Sequence, residues 1–577
     1  MSFVAAVGAG GAAADHLEDR RTRRSPGGTT TVVRHQDLAV AYAAGCPWVE
    51  THDDGDVLAM VDGRLHDVGA EREGQAELVG RRYRTRGLDV ARGLLGDFVL
   101  VILDRPNDRL LVARDPVGVR PWYQATAGRS HVGASDVATL AAVPWVDTTL
   151  DDAVAVQYLA ALSQSRGATL HRGIRTLRPG ETWYVHDGRA RTFAHHRWDI
   201  APDLDISWSD AAERCREALD TAVRCRLDVG GPPTSELSGG LDSSAIVGTI
   251  ARLGRRDGLM VGRLVFDGPR ADERAYSDAV LDHWQLAAVS APPWMPTDEE
   301  ADELTRELRR PPPDPHFTMF ASLHRQLLDR GRADGLTGLG GDDAFAACSL
   351  GSRIVSAVKL RHGRVLGRLA RDTRGHPRQV WTDMLRPTLH HLAPWRGDRL
   401  PAWVTSAAAR RADLPRLFRE PAARVTGIDA LDERIANLTS GYDAAILEDR
   451  AIVADWTGRR DAHPMLDPRF VRVTYGLDPS WPTRHGHTRA LQVAAFADRL
   501  PPLVAERRSK ADFSEVFWPA LRQDALLGRV RTGPLVSQGW LDLDGFDGLV
   551  AHAKEGKANA AIPLSRCVSL DRWMRLQ

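Results

Sequence analysis

The stretch Ser238-Gly239-Gly240-Leu241-Asp242-Ser243-Ser244 constrains this chain more than any other. Before it, Pro233 to Leu237 reads as a short strand running into a loop; after it, Ala245 to Ala251 reads as the apolar start of a helix. A strand, a glycine-rich loop and a helix N-terminus in succession make an anion site. Adjacent glycines let backbone N–H groups approach a ligand, and the serine hydroxyls and the helix dipole favour negative charge. Phosphate is the natural guest, with Leu237, Ser238, Gly239, Gly240, Ser243 and Ser244 as its candidate neighbours. Asp242 would be unfavourable beside phosphates unless a divalent cation lay between them, so it reads as a magnesium ligand.

The loop lacks the Gly-x4-Gly-Lys-Ser/Thr spacing of the P-loop, which argues against γ-phosphate hydrolysis. Ser-Gly-Gly-x-Asp-Ser instead resembles the signature of ATP pyrophosphatases. That resemblance implies cleavage between the α- and β-phosphates of ATP and an adenylated carbonyl or carboxyl group. The alternative is an ordinary Gly-Gly turn capped by serine.

At 577 residues the chain exceeds what one core organises, so two or more domains are expected. Lys plus Arg and Asp plus Glu are both 76, which leaves no global charge to attract nucleic acid or an anionic membrane. No apolar run reaches the ~18 residues of a membrane span, and no signal-peptide pattern opens the chain; a cytoplasmic location is expected. The cysteines at 46, 215, 225, 348 and 567 have no Cys-x-x-Cys spacing and read as core thiols.

Residues 10–30 read as a loop or a poorly ordered segment. From Asp56 onward, Val57–Leu65 and Gly96–Asp104 are β-rich runs, with Arg109–Asp115 as a hairpin partner. The series Gly96-Asp97-Phe98 and Leu111 to Tyr123 resembles the glutaminase domain of asparagine-synthetase-type amidotransferases. In that family a cysteine follows the initiator methionine; here Ser2 does, and Asp62-Gly63 replaces the oxyanion-hole Asn-Gly. A carboxylate facing a developing oxyanion opposes catalysis, so this domain reads as a retained scaffold.

Helical spacing from Trp208 to Arg226 opens a second region in which helices and β-runs alternate, the pattern of a parallel sheet wound by helices. The expected domains are residues 1–206, layered and β-rich, and residues 207–577, parallel α/β. Gly262–Asp267 reads as the second strand, with Leu264 beside adenine, and Asp272 opens the helix after it. Gly335 to Asp343 forms another strand and glycine-rich loop, where Thr337, Gly338 and Gly340 can approach the nucleotide and Asp342 can share the cation with Asp242. Lys510, in Arg508-Ser509-Lys510-Ala511-Asp512-Phe513-Ser514, can neutralise departing pyrophosphate.

Together these stretches resemble the synthetase half of the asparagine synthetase superfamily, which includes asparagine synthetases, β-lactam synthetases and lasso peptide cyclases. The implied fold is a degenerate N-terminal-nucleophile (Ntn) hydrolase-like domain joined to an ATP-pyrophosphatase domain, using ATP and Mg2+. Asparagine synthetase carries glutamate, and β-lactam synthetase tyrosine, where this chain has Leu339. Glu448 stands fifteen residues before His463, the spacing of the β-lactam synthetase glutamate, and is the candidate general base. The combination is most like a lasso peptide cyclase, which adenylates a peptide side-chain carboxylate for attack by the peptide's own α-amine. The resemblance implies a precursor peptide, a leader-binding protein and a leader peptidase as partners. A small-molecule amide synthetase is the alternative. The basic run Arg353 to Arg378 reads as a solvated face or a contact for an acidic peptide or protein.

Overall fold

The computed structural model describes residues 4–7, 30–43, 46, 48–66, 74–162, 167–227, 232–345, 363, 400–417, 426, 428–478, 481, 483–484, 487–507 and 511–577. Ser2, Lys510, most of 10–30 and almost all of the basic run lie outside these residues.

The first 200 residues build two six-stranded antiparallel sheets that face each other. The strand Val57–Leu65 shows why. Successive side chains point to opposite faces. Leu58 and Met60 join Val101 and Val112 and meet Leu38 and Val40 of the other sheet. Val57, Ala59 and Val61 face the other way, onto Ala76, Val79 and Tyr83 of the helix Gln75–Arg86. A strand covered on both faces reads as a continuous apolar run. The other sheet is covered by the short helix Val137–Leu140, giving helix, sheet, sheet and helix layers.

The second region is organised on a five-stranded parallel sheet, in the order Ala288–Ala291, Met260–Leu264, Thr234–Glu236, Asp334–Leu336 and Arg460–Ala462. From the central strand Thr234–Glu236 the chain first winds outward one way, then returns to its other side. The strand order therefore reverses between Thr234–Glu236 and Asp334–Leu336, and such a switch point opens a crevice at the strands' carboxyl ends. The helices Trp208–Leu227 and Leu241–Arg252 pack on the sheet through Leu219, Val223, Ile246 and Ile250.

Some boundaries differ from the sequence expectation. The second strand ends at Leu264, because Phe266 turns into a helical cluster with Ala271 and Phe517. The helix after it begins at Arg274, whose N–H donates to the Asp272 carboxylate at 2.9 Å. Further along, a short helix spans Ala490–Ala495. Beyond it, Arg499 turns inward to pair with Asp220 at 2.6 Å. The helix Asp152–Leu159 of the first region packs against the helix Ala561–Arg575, so the two regions share one core there.

Buried ion pairs tie the two regions together. Asp62 accepts from Arg120 at 3.1 Å and from Arg460, on the edge strand of the parallel sheet, at 2.7 Å. Burial alone would raise the Asp62 carboxyl, but the two guanidiniums outweigh it and hold it at about 2. Arg226 bridges Asp97 at 2.9 Å and Asp467 at 2.7 Å. Asp62, which the family resemblance sets where an oxyanion donor would stand, is thus engaged in joining the two regions.

Candidate active site

The loop Leu237–Gly240 leaves the central strand and curls on itself. Ser238 N–H donates to Ser243 Oγ at 3.1 Å, and Gly240 N–H to Ser238 Oγ at 3.2 Å. Gly239 sits at φ +88°, a conformation glycine adopts without strain. Across the switch point, the Thr337–Gly341 loop lies directly against it. A Cβ on Gly338 would come within 2.5 Å of the Ser243 nitrogen, and one on Gly341 within 2.1 Å of Asp242 Oδ1. Only glycine permits this approach. The second loop is anchored from below, where Thr337 Oγ1 lies 2.7 Å from His463 Nδ1. Burial lowers His463 to about 4, so this imidazole is neutral at physiological pH.

The two loops open onto a cavity of about 490 Å³. Leu237, Ser238, Asp242, Ser243, Leu264, Thr337 and Gly338 line it, seven of the residues singled out from sequence, together with Leu339 and Phe513. Gly239, Gly240 and Gly340 shape the loops behind that surface, and Ser244 is fully buried beneath them. Lys510 falls outside the described residues. On one side of it, Arg507 donates to the Gly239 carbonyl at 3.3 Å, and on the other Ala511 lines the cavity.

Asp242 and Asp342, from different loops, converge on one cationic group. Arg489 Nη1 lies 2.9 Å from Asp242 Oδ2, and its Nη2 pairs with Asp342 Oδ1. Gln492 Nε2 donates to Asp242 Oδ1 at 2.6 Å. Two carboxylates brought to a single positive charge beside a phosphate-type loop are the hard oxygen donors that suit magnesium, so the residues present fit that ion. Asp343, next along the chain, does not belong to this pair. Burial, with the Asp443 carboxyl beside it, raises Asp343 to about 8.

Glu448 is not brought into the same cavity. It lies on the helix Tyr442–Thr457 and lines a second one of about 110 Å³, with Phe317 as the wall common to both. Its Oε1 accepts from Tyr123 O–H at 2.7 Å and from Arg310 Nη1 at 2.5 Å. Leu339 packs with the apolar cluster of Val117, Val119, Leu447 and Leu466, between the two domains.

Arg450 had no sequence-derived role, although its neighbour Glu448 did. It lines the larger cavity and holds Glu236 at 2.9 Å and Asp461 at 2.6 Å. Glu236, His324 and Asp461 are close enough together to hold a metal ion. Arg450 and Arg459 already neutralise the two carboxylates, so the cluster reads as a buried ion-pair network at the end of the central strand.

Comparison with known proteins agrees with this architecture. Residues 65–198 match the glutamine amidotransferase domain model, and residues 214–575 match the asparagine synthase model. Among curated relatives, Amidase chry2 of Gibberella zeae is 28% identical over 35% of this chain and 32% of its own length. Asparagine synthetase [glutamine-hydrolyzing] 3 of Bacillus subtilis is 26% identical over 35% of this chain and 33% of its own. Putative asparagine synthetase [glutamine-hydrolyzing] 2 of Methanocaldococcus jannaschii is 22% identical over 40% and 47%, respectively. The first two alignments thus span about a third of those relatives. No helix among the described residues is long and apolar enough to cross a membrane. An N-terminal amidotransferase-type domain of layered antiparallel sheets, followed by a parallel-sheet domain matched over residues 214–575, places the chain in the asparagine synthase family.

Proposed function

We propose that this protein is an ATP-dependent amide-bond synthetase that closes a macrolactam ring in a precursor peptide. The observation that carries the synthetase reading is the meeting of the Ser238–Ser243 and Thr337–Gly341 loops at the switch point, with Asp242 and Asp342 directed at one cation. In this reading the loops bind the phosphates of ATP and Leu264 borders the adenine. Asp242 and Asp342 hold Mg2+, which when bound neutralises phosphate charge. A side-chain carboxylate oxygen of the peptide attacks the α-phosphorus, the bond to the β-phosphate oxygen breaks, and pyrophosphate leaves beside Lys510. The peptide's α-amine then attacks the acyl carbon and AMP departs. Glu448 is the proposed acceptor of the amine proton; because it lines the neighbouring cavity, the amine must enter past Phe317 to within hydrogen-bond reach of it.

Two features support a peptide over ammonia as the nitrogen source. Asp62, in the oxyanion position, is paired with Arg120 and Arg460, and Leu339 lies in an apolar cluster where an amine-handling carboxylate would otherwise stand. A precursor peptide, a leader-binding protein and a leader peptidase would be its partners, in the cytoplasm. The names of the Bacillus and Methanocaldococcus relatives favour a second reading, a small-molecule amide synthetase. Incubating the protein with ATP, Mg2+ and candidate precursor peptides, trapping with hydroxylamine and weighing the products separates the two. A peptide hydroxamate and a peptide lighter by one water are expected. Amide formation only on a free amino acid, stimulated by glutamine, would establish the second reading instead.

A further inference from the structure

Arg489 is bound to both acidic residues of the site. It reaches Asp242 with Nη1, at 2.9 Å from Oδ2 and 3.1 Å from Oδ1, and Asp342 with Nη2. Its backbone lies in the left-handed region, φ 61°, immediately before the helix Ala490–Ala495. A non-glycine residue held there is strained and persists only where its surroundings enforce it. Gln492, one turn on, donates to Asp242 Oδ1 at 2.6 Å, so the carboxylate is held from the same short helix.

A guanidinium fork matches two carboxylates well, and a divalent cation would need the same oxygens. The two occupants exclude each other. We propose that Arg489 holds the place of the divalent cation between Asp242 and Asp342, and leaves it only when nucleotide phosphates draw the guanidinium away. This rests on the reading of Asp242 and Asp342 as the magnesium carboxylates. Without nucleotide, a free cation must displace a charge-assisted ion pair and leave an unpaired guanidinium beside it. With ATP present, the phosphate oxygens offer that guanidinium a second anionic partner and vacate the carboxylates. Arg489 thereby makes cation binding depend on nucleotide, and by linkage nucleotide binding depends on the cation to the same degree. The displaced guanidinium remains beside the Ser238–Ser243 loop, where it can pair with pyrophosphate oxygens.

The test uses the full chain and Mn2+ as a paramagnetic stand-in for Mg2+, with free Mn2+ read by electron paramagnetic resonance with and without a non-hydrolysable ATP analogue. Wild type should bind Mn2+ more weakly without the analogue, by at least about tenfold, the scale of a typical allosteric coupling. Arg489→Gln should bind Mn2+ about tenfold more tightly than wild type without the analogue and lose most of the coupling. Arg489→Lys, which keeps the charge and removes the fork, should fall between them and guards against a glutamine variant that fails to fold. Equal Mn2+ affinity of wild type and both variants without nucleotide, still abolished by Asp342→Asn, overturns this inference alone. If Asp342→Asn leaves Mn2+ binding unchanged in every protein even with the analogue, the magnesium assignment falls and this inference with it.

Discussion

Replacing Gly338 by alanine tests whether contact between the two loops makes the nucleotide site. The added Cβ would lie 2.5 Å from the Ser243 nitrogen, 2.8 Å from the Asp242 carbonyl carbon and 2.9 Å from Ser243 Cα. All three are backbone atoms at the start of the helix Leu241–Arg252, so no flexible side chain can swing aside. Reaching an ordinary contact distance requires the loops to part by about 0.9 Å. Overpacking of this kind costs ~1–3 kcal/mol, and if the loops yield while the fold holds, that cost appears in ligand binding as a loss of about 5- to 150-fold. Calorimetric titration with Mg2+ and a non-hydrolysable ATP analogue measures it, with the melting midpoint recorded alongside. Gly548→Ala is the matched control. It sits within the helix Leu543–Lys554 with nothing within 4 Å of the new methyl group, and should leave binding unchanged. Wild-type affinity in Gly338→Ala with an unchanged midpoint would refute the idea that loop apposition builds the site.

Other consequences can be measured directly. Asp62→Ala removes the carboxylate shared by Arg120 and Arg460 and should destabilise the protein by ~3–5 kcal/mol, the usual cost of breaking a buried ion pair; a melting midpoint unchanged in this variant would show that the Asp62 pairs contribute nothing. Glu448→Gln should still form the hydroxylamine-trappable acyl intermediate but slow ring closure by about 10²–10⁴-fold, and normal ring yield would remove Glu448 as the base. Burial lowers His463 and His196 to about 4 and His195 to about 3, below their usual 6.5. The unfolded chain therefore binds more protons than the native one between pH 4 and 6.5, so this contribution is complete above pH 6.5 and lost as pH falls towards 4. Melting midpoints from pH 7.5 to 4.5 should decline accordingly, and His463→Phe should flatten part of the decline; a flat wild-type profile would contradict it. Ser2→Ala should leave amide formation unchanged, and loss of a glutamine-stimulated rate in that variant would restore a glutaminase role.

What the sequence determined by itself was local. Ser238 to Ser244 could be read as a phosphate-type loop because strand, Gly-Gly turn and helix start are neighbours in the chain, and such geometry depends on a few adjacent dihedrals. The same holds for Gly338 to Asp342 and for the alternating faces of Val57–Leu65. Spacing alone could not show that these two loops touch, because their meeting depends on the order in which parallel strands assemble, and that order reverses between Thr234–Glu236 and Asp334–Leu336. Nor could it show that Arg489 lies on Asp242, that Asp62 joins the domains through Arg460, or that Glu448 faces Tyr123 and Arg310 across a wall from the larger cavity. Each is a contact between charged or polar groups far apart in the chain. Such contacts have no periodicity to reveal them, because an ion pair depends on where two side chains finish and not on how many residues separate them.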